Sequence, residues 1–559
     1  PSAGLTLLMH VSLTEMAVTL ISLQFRDFLT FFVFWGVLVS AKYQPNIVLI
    51  VADDLGWNDV GFHGSDQIPT PNIDALAYNG IVLNRFYVQS TCTPSRSALL
   101  TGQYPIRYGF QGWPLRNGEN RYLPTHLRTL PDHLKGLGYT TSLVGKWHLG
   151  FSYWYNTPIY RGFDTHFGYW TGHIDYFNHT SDGGFAMRRN RHEAWETQNK
   201  YATQLFTQVS QETIMKHDYA KPLFLMVSHL AVHAADRNQL LEVPDLVETN
   251  KTFGYITDYR RRLFAGMLAE LDKSVGAICR TLQDRGVFDN TIILFLSDNG
   301  AQNTGTRFDN SGSNWPLRGM KATLYEGGVR VPAVLYYDKL KTNATINNQL
   351  MHITDLLPTL YAAAGGNIRD LGTIDGVNQW PTISGGSKSP RSSVLLDINE
   401  VALHSGVISH GGRYKLVNGS VLNPTFGRDG YYGYDTSLTN NPPYDADLVL
   451  DSETNRVIDK GLTKKKLFQT RKKVTIACDH GGGESVSRED TLFLFDLEND
   501  PCETKNLADK LPNIVADLSA QLLWYWEVLQ PQHCQEPDPN SNPIYYNNTW
   551  VPWMEQRPT

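Results

Sequence analysis

The sequence predicts an α/β protein, a large and mostly parallel sheet sandwiched by helices, followed by a smaller antiparallel domain. Three observations carry this. First, long apolar runs end abruptly in polar residues, as in "NIVLIVADD" (Asn46 to Asp54) and "NTIILFLSDNG" (Asn290 to Gly300). Strands that read as unbroken apolar runs are those buried on both faces, as in parallel sheets. Second, these runs alternate with helical patterns over more than half the chain. Third, the texture changes beyond about residue 390, where short strand candidates separated by loops take over.

Each element follows from local chemistry. "TPNIDALAYNGIVLNRFYV" (Thr70 to Val88) gives a short helix from Asn72 and then a strand. "SRSALLTGQY" gives a short helix starting at or near Ser95. "LPTHLRTLPDHLKGLGYTTSLVGKWHLG" (Leu123 to Gly150) gives a helix ended by Gly136 or Gly138, then a strand through Leu143 and Val144. "KPLFLMVSHLAVH" (Lys221 to His233) is a strand running into polar residues. Thr252 to Gly286 is a long amphipathic helix with Gly286 at its end, and "MHITDLLPTLYAAAG" is a helix ended by Gly365. In the last third, "SSVLLDINE", "YKLVNGS", "KKVTIAC" and "TLFLFDL" read as short strands, and "LPNIVADLSAQLLWYWEVL" as a helix. The Gly-, Tyr- and Asn-rich stretch from Asn423 to Lys464 reads as an insertion loop. The expected division is 1–41 as a signal region, 42–390 as the catalytic domain and 391–559 as the smaller domain with its tail.

Composition narrows the function. Of 559 residues, 41% are hydrophobic and 19% charged, with a formal net charge of -6. No region is basic enough for a nucleic-acid footprint. The apolar run Phe28 to Ala41, preceded by Arg26-Asp27, is short for a membrane span, which takes about 20 residues. It suits the h-region of a signal peptide cleaved near Ala41, so the expected destination is the secretory pathway, secreted or lysosomal, with no stable membrane span. Acceptor sequons at Asn178, Asn250, Asn343, Asn418 and Asn547 fit that route. Five cysteines are too few for a disulfide scaffold; from nearness alone, Cys502 is expected to pair with Cys534.

The chemistry collects at strand ends, where open α/β sheets place ligands. Asp53-Asp54 and Asp298-Asn299 end two strands, and four oxygen-bearing side chains suit a hard divalent cation, Ca²⁺ or Mg²⁺. Cationic candidates follow other strands: Lys146 and His148, then His229 and His233, with Arg318, Lys321 and Arg330 in a glycine-rich loop. Positive donors around a metal are what a sulfate or phosphate ester needs. The residues alone leave the nucleophile open among Cys92, Thr93, Ser95 and Ser97. "ACDHGG" at Cys478 offers a further Asp/His pair, in the wrong domain for this site.

Two long segments then carry a resemblance. "CTPSR" (Cys92 to Arg96) followed by "SALLTGQYP", and "GYTTSLVGKWHLG" (Gly138 to Gly150), resemble the two signatures of the type I sulfatases. "ADDLGWNDVGFHGS", "RGFDTHFGYWTG", "LRGMKATLYEGGVR" and "LFDLENDPCETKNLA" are similar to segments of animal arylsulfatase B-like enzymes. The likeness runs from about Asn46 to about residue 520. It implies an alkaline-phosphatase-like fold and hydrolysis of sulfate esters. It implies that a formylglycine-generating enzyme converts Cys92 to formylglycine, whose hydrate is the nucleophile. It implies calcium held by Asp53, Asp54, Asp298, Asn299 and residue 92. Arg96 and Lys146 would hold the hydrate and His148 would serve its second hydroxyl. His233, with His229 as competitor, and Lys321 would bind sulfate and assist the leaving alcohol. The substrate implied is a sulfated sugar of the N-acetylgalactosamine 4-sulfate type, or a small sulfated molecule such as a glucosinolate, since insect relatives act on these. Two departures lie where selectivity is expected. The loop Phe110 to Pro124 lacks the cysteines of the animal enzymes, and Ala234-Ala235-Asp236 replaces their Glu-Pro. The alternatives are a phosphoester hydrolase of the same superfamily and an inactive secreted binding protein with this fold.

Overall fold

In the computed structural model the described residues are 44–236, 239–303, 308–419, 441–478 and 491–555. Asn46–Thr559 forms one compact unit. The signal segment expected at 1–41, most of the first half of the predicted insertion loop and the Asp479-His480 pair lie outside the described residues.

A 10-stranded sheet runs through the molecule in the order Thr345–Asn347, Ile81–Leu83, Ala333–Tyr336, Thr291–Ser297, Asn46–Ala52, Leu223–Ser228, Thr140–Lys146, Thr165–Tyr169, Arg188–Arg189, His192–Glu193. Its centre is parallel. We label that centre β1 (Asn46–Ala52), β2 (Thr140–Lys146), β3 (Thr165–Tyr169), β4 (Leu223–Ser228) and β5 (Thr291–Ser297). Every residue of β1, β4 and β5 is buried, because helices cover both faces and the strands are apolar on both. The helix Tyr259–Asp284 covers one face, packing on Ala202–Lys216 and Pro71–Asn79. Asp258 caps it by accepting from the Arg261 amide.

Register matters for the site. Ala52 pairs with Ser297, Val51 with Ser228, and Ser228 with Gly145. The residues just past these positions therefore emerge side by side at the carboxyl edge: Asp53-Asp54, Asp298-Asn299, His229 and Lys146.

The second layer is a 4-stranded antiparallel sheet of Val394–Asn399, His404–Ser409, Tyr414–Asn418 and Leu492–Asp496. One face, with Leu396, Val417 and Phe495, packs on Leu324, Tyr325 and Val329 of the glycine-rich loop. The other packs on Leu518 and Leu522 of the helix Pro512–Glu527.

Several local expectations are corrected. "KKVTIAC" is not a strand: Lys464–Val474 is a helix, capped by Thr463 and closed by Arg471, Lys472 and Lys473 in its last turn, where cations face the carbonyl end. The described part of the supposed insertion loop holds helices at Ala446–Leu450 and Glu453–Ile458. Cys502 pairs with Cys478, not with Cys534, which is free and exposed. Cys478, at a sequence separation of 24, is nearer to Cys502 along the chain than Cys534 is, so nearness counted correctly favours the observed pair. Among the described residues no helix is long and apolar enough to cross a membrane.

Candidate active site

The helix that carries Cys92 begins at Cys92 itself and runs to Thr101, three residues earlier than its sequence suggests. Pro94 reads as a helix breaker but falls in the first turn, where no amide hydrogen is required. Thr91 enters with extended backbone, and Gly102 closes the helix at φ 66° with its amide on Ala98 O. Residue 92 thus heads a helix at the positive end of its dipole. Arg96, four residues on, lies on the same face.

Around Cys92 the strand ends deliver charge. Donor atoms of Asp53, Cys92 and Asp298 lie within 4.8 Å of one another, as do those of Asp53, Asp54 and His233. Lys146 Nζ donates to Asp53 Oδ2 at 2.6 Å. Arg96 donates through Nε to Asp298 Oδ2 at 3.0 Å and through Nη1 to Ser228 Oγ at 2.5 Å, with Nη2 forming an ion pair 2.8 Å from the same Asp298 oxygen. Lys321 Nζ and Asn299 Nδ2 both donate to Asp54 Oδ1, at 2.5 and 2.6 Å. His233 Nε2 stands 3.7 Å from Asp54 Oδ2. All these side chains are buried.

Three buried oxygens remain without a hydrogen-bond partner: Asp53 Oδ1, Asp54 Oδ2 and Asn299 Oδ1. An unsatisfied buried acceptor costs about 1–3 kcal/mol. Three of them beside Asp298, all oxygen, fit a hard cation such as Ca²⁺ better than zinc, which favours nitrogen and sulfur.

Electrostatics separates the roles. Burial pushes the Cys92 thiol up, even against the pull of Lys146 and Lys321. An unconverted thiol is therefore held protonated and is a weak nucleophile. Burial, then Lys146, drives His148 well below the usual histidine value. Its Nε2 lies 2.9 Å from Leu115 O, so Nε2 carries the hydrogen and donates it. The lone pair is then on Nδ1, which is buried without a partner. A Cβ at Gly172 would come within 2.7 Å of that ring, so glycine is what lets His148 in. His233 is likewise lowered by burial and by Lys321, with Nδ1 2.6 Å from Ala234 O. For Lys321, burial alone would lower the value, but the Asp54 carboxylate outweighs it and the ammonium is kept.

The structure gathers Asp53, Asp54, Cys92, Arg96, Lys146, His148, His233, Asp298, Asn299 and Lys321 in one place. It leaves out other sequence candidates. His229 is fully buried on the far side, its Nε2 3.1 Å from Ser274 Oγ. Arg318 lies over Tyr325, and Arg330 over Trp57. Thr93 Oγ1 donates to His148 O, Ser95 Oγ to Gln89 O and Ser97 Oγ to Pro94 O, so none is presented as a nucleophile. Sequence reasoning missed Ser228, which holds Arg96, and Tyr169, whose buried hydroxyl has no hydrogen-bond partner and feels Asp53 and Arg96. Their only signal was position at the end of a strand.

Comparison with known proteins identifies the family. The family profile described as Sulfatase matches residues 45–366. Mouse arylsulfatase J is 36% identical over 519 residues, 92% of this chain and 81% of that protein. Human N-acetylgalactosamine-6-sulfatase is 33% identical over 367 residues, 62% of this chain and 66% of that protein. The crystal structure of Ps i-CgsB superposes with a TM-score of 0.68 at 25% identity, covering 90% of this chain and 97% of that one. The chain belongs to the sulfatase family and is a hydrolase of sulfuric esters.

Proposed function

We propose that the chain hydrolyses a sulfated sugar in the secretory pathway, using formylglycine made from Cys92 and one calcium ion. The observation that carries this is the convergence of Cys92, at the head of its helix, with three cations and three partnerless oxygens in one buried pocket. As a hydrated aldehyde, residue 92 supplies two geminal hydroxyls, one to attack sulfur in line with the ester oxygen and one to release sulfate afterwards. Asp53, Asp54, Asp298 and Asn299 would hold the calcium ion, whose chemistry is to neutralise charge gathering on the sulfate oxygens.

The chain's own groups then divide the work. Arg96 and Lys146, fixed on Asp298 and Asp53, hold and orient the hydroxyls of residue 92. His148 is neutral with its lone pair on Nδ1, the state needed to accept a proton from the hydroxyl that does not attack. Lys321 and His233, both beside Asp54, bind the sulfate and assist the departing alcohol. A serine at position 92 lacks the second hydroxyl and would stall after transfer. The sugar reading draws support from the N-acetylgalactosamine-6-sulfatase relative and from Ps i-CgsB, solved in complex with k-i-k-neocarrahexaose.

The test is turnover by secreted protein on p-nitrophenyl sulfate, sulfated N-acetylgalactosamines and a glucosinolate, before and after chelation and calcium return. Sulfate release from a sugar, lost on chelation and restored by calcium, is expected. Release from the glucosinolate alone would overturn the sugar assignment. Turnover indifferent to chelation would overturn the metal assignment.

A further inference from the structure

Lys321 sits on a loop that has little regular structure of its own, yet its Nζ is placed 2.5 Å from Asp54. The loop is held from behind by a fully buried charge cluster. Lys415, on the strand Tyr414–Asn418 of the smaller sheet, reaches Glu326 Oε1 at 3.1 Å and Glu503 Oε1 at 2.7 Å, all three side chains at 0% exposure. Glu503 Oε2 accepts the Glu326 amide at 2.7 Å. Tyr87 Oη donates to the second oxygen of Glu326, and Arg330 pairs with it. Arg318 Nη1 donates to the Glu503 carbonyl.

The turn that begins at Glu326 is in direct contact with the active site. Gly300, next to Asn299, donates its amide to Gly328 O at 3.0 Å, and a Cβ at Gly300 would lie 1.8 Å from Gly327 O. Gly327 donates to Arg318 O, Lys321 to Ala301 O and Ala322 to Ser90 O. A shift of the Glu326 turn is therefore passed to Asn299 on one side and to Lys321 on the other.

A buried ion pair is poor evidence for added stability, because desolvation offsets most of its attraction. What it does fix is geometry. Burial pushes Glu503 up to about 7 even with Lys415 beside it, while Lys415 and Arg330 outweigh burial at Glu326 and hold it low. Without the ammonium, two carboxyl groups would face each other and the turn would move.

We propose that Lys415 is a positioning residue of the active site: through Glu326 and Glu503 it clamps the turn that sets Lys321 and Asn299. The smaller sheet is on this account part of the catalytic apparatus rather than an appended layer. The proposal rests on the reading above that Lys321 meets the sulfate.

The experiment compares wild type with Lys415→Met, each with conversion of residue 92 checked by peptide mass. It measures p-nitrophenyl sulfate kinetics and amide hydrogen exchange. Expected is a fall in kcat of about 10²-fold with KM changed less than about threefold, as for a misplaced catalytic group. Exchange should quicken in peptides covering 319–328 while β1 keeps its protection. Where Lys415→Met yields no folded protein, the near-isosteric Glu503→Gln replaces it, with a loss of about tenfold and the same local exchange pattern. A kcat within twofold of wild type, or exchange that rises equally in β1 and in 319–328, would overturn the clamp. Wild-type protein inactive on every sulfate ester would instead sink the functional reading and leave the exchange pattern to decide the clamp.

Discussion

Cys92 and Cys279 are both buried thiols, and the contrast between them shows what makes a site. Cys279 lies in the helix Tyr259–Asp284, 0% exposed, and burial pushes its thiol up to about 12. Its polar neighbours are Thr454 and the carboxylates of Glu453 and Asp272, and apolar side chains pack around the rest. Cys92 is as buried, but it heads its helix, and Lys146, Lys321, Asp53 and Asp298 surround it. Burial is common to both and decides nothing. The difference is the pair of cations, Lys146 and Lys321, set beside the acids around Cys92, where Cys279 meets the carboxylates Glu453 and Asp272.

That contrast can be broken in steps. The largest effect is expected for Cys92→Ala, which should lower kcat by about 10⁴-fold or more, as loss of a nucleophile does, with an unchanged far-UV spectrum. Steady-state kinetics on p-nitrophenyl sulfate checks it. Next, His148→Ala should cost about 10²–10⁴-fold in kcat, the range for a lost general base. A burst of alcohol followed by stalled turnover would show that release, rather than attack, has failed.

A smaller effect separates a buried acid of the quiet region from those of the site. Asp74 accepts from Tyr444, Thr70 and the Phe62 amide, but burial still pushes it up to about 6. The folded state then holds this proton more tightly than the unfolded chain, whose value is near 3.8. Its contribution is fully present below about pH 4 and lost as pH rises through about 6. Asp74→Asn should remove that part of the slope, at most about 3 kcal/mol between pH 4 and 7, without changing kcat. Denaturant midpoints across that range measure it, and an unaltered slope would contradict it. The smallest effect belongs to Cys279→Ala: about 1–2 kcal/mol of stability from the lost packing, with kcat within about twofold. A large loss of kcat there would erase the comparison.

How much of this was legible follows from how far apart the partners lie in the chain. β1, β4 and β5 were readable because an apolar run that stops at Asp or Ser-His has one explanation in a parallel sheet. Asp53, Asp54, Asp298 and Asn299 were readable because they immediately follow β1 and β5, whereas Cys92 was singled out as the nucleophile only through the resemblance of its segment. The start of the Cys92 helix was misread because a proline in the first turn looks like a stop. "KKVTIAC" was misread because Val, Thr and Ile favour strands, while the Thr463 cap that fixes the helix lies nine residues upstream of Lys472. The Lys415–Glu326–Glu503 cluster was not legible at all. Its members come from separate segments, and only the packing of the smaller sheet on the Leu324–Val329 turn brings them together.

The central claim is that residue 92 works as a carbonyl hydrate and not as a thiol. Trypsin cuts after Arg85 and Arg96, releasing the peptide Phe86 to Arg96 from active, secreted protein. The account predicts a mass about 18 Da below that of the cysteine peptide, the change from thiol to aldehyde. Full turnover by protein whose peptide retains the cysteine mass would contradict it.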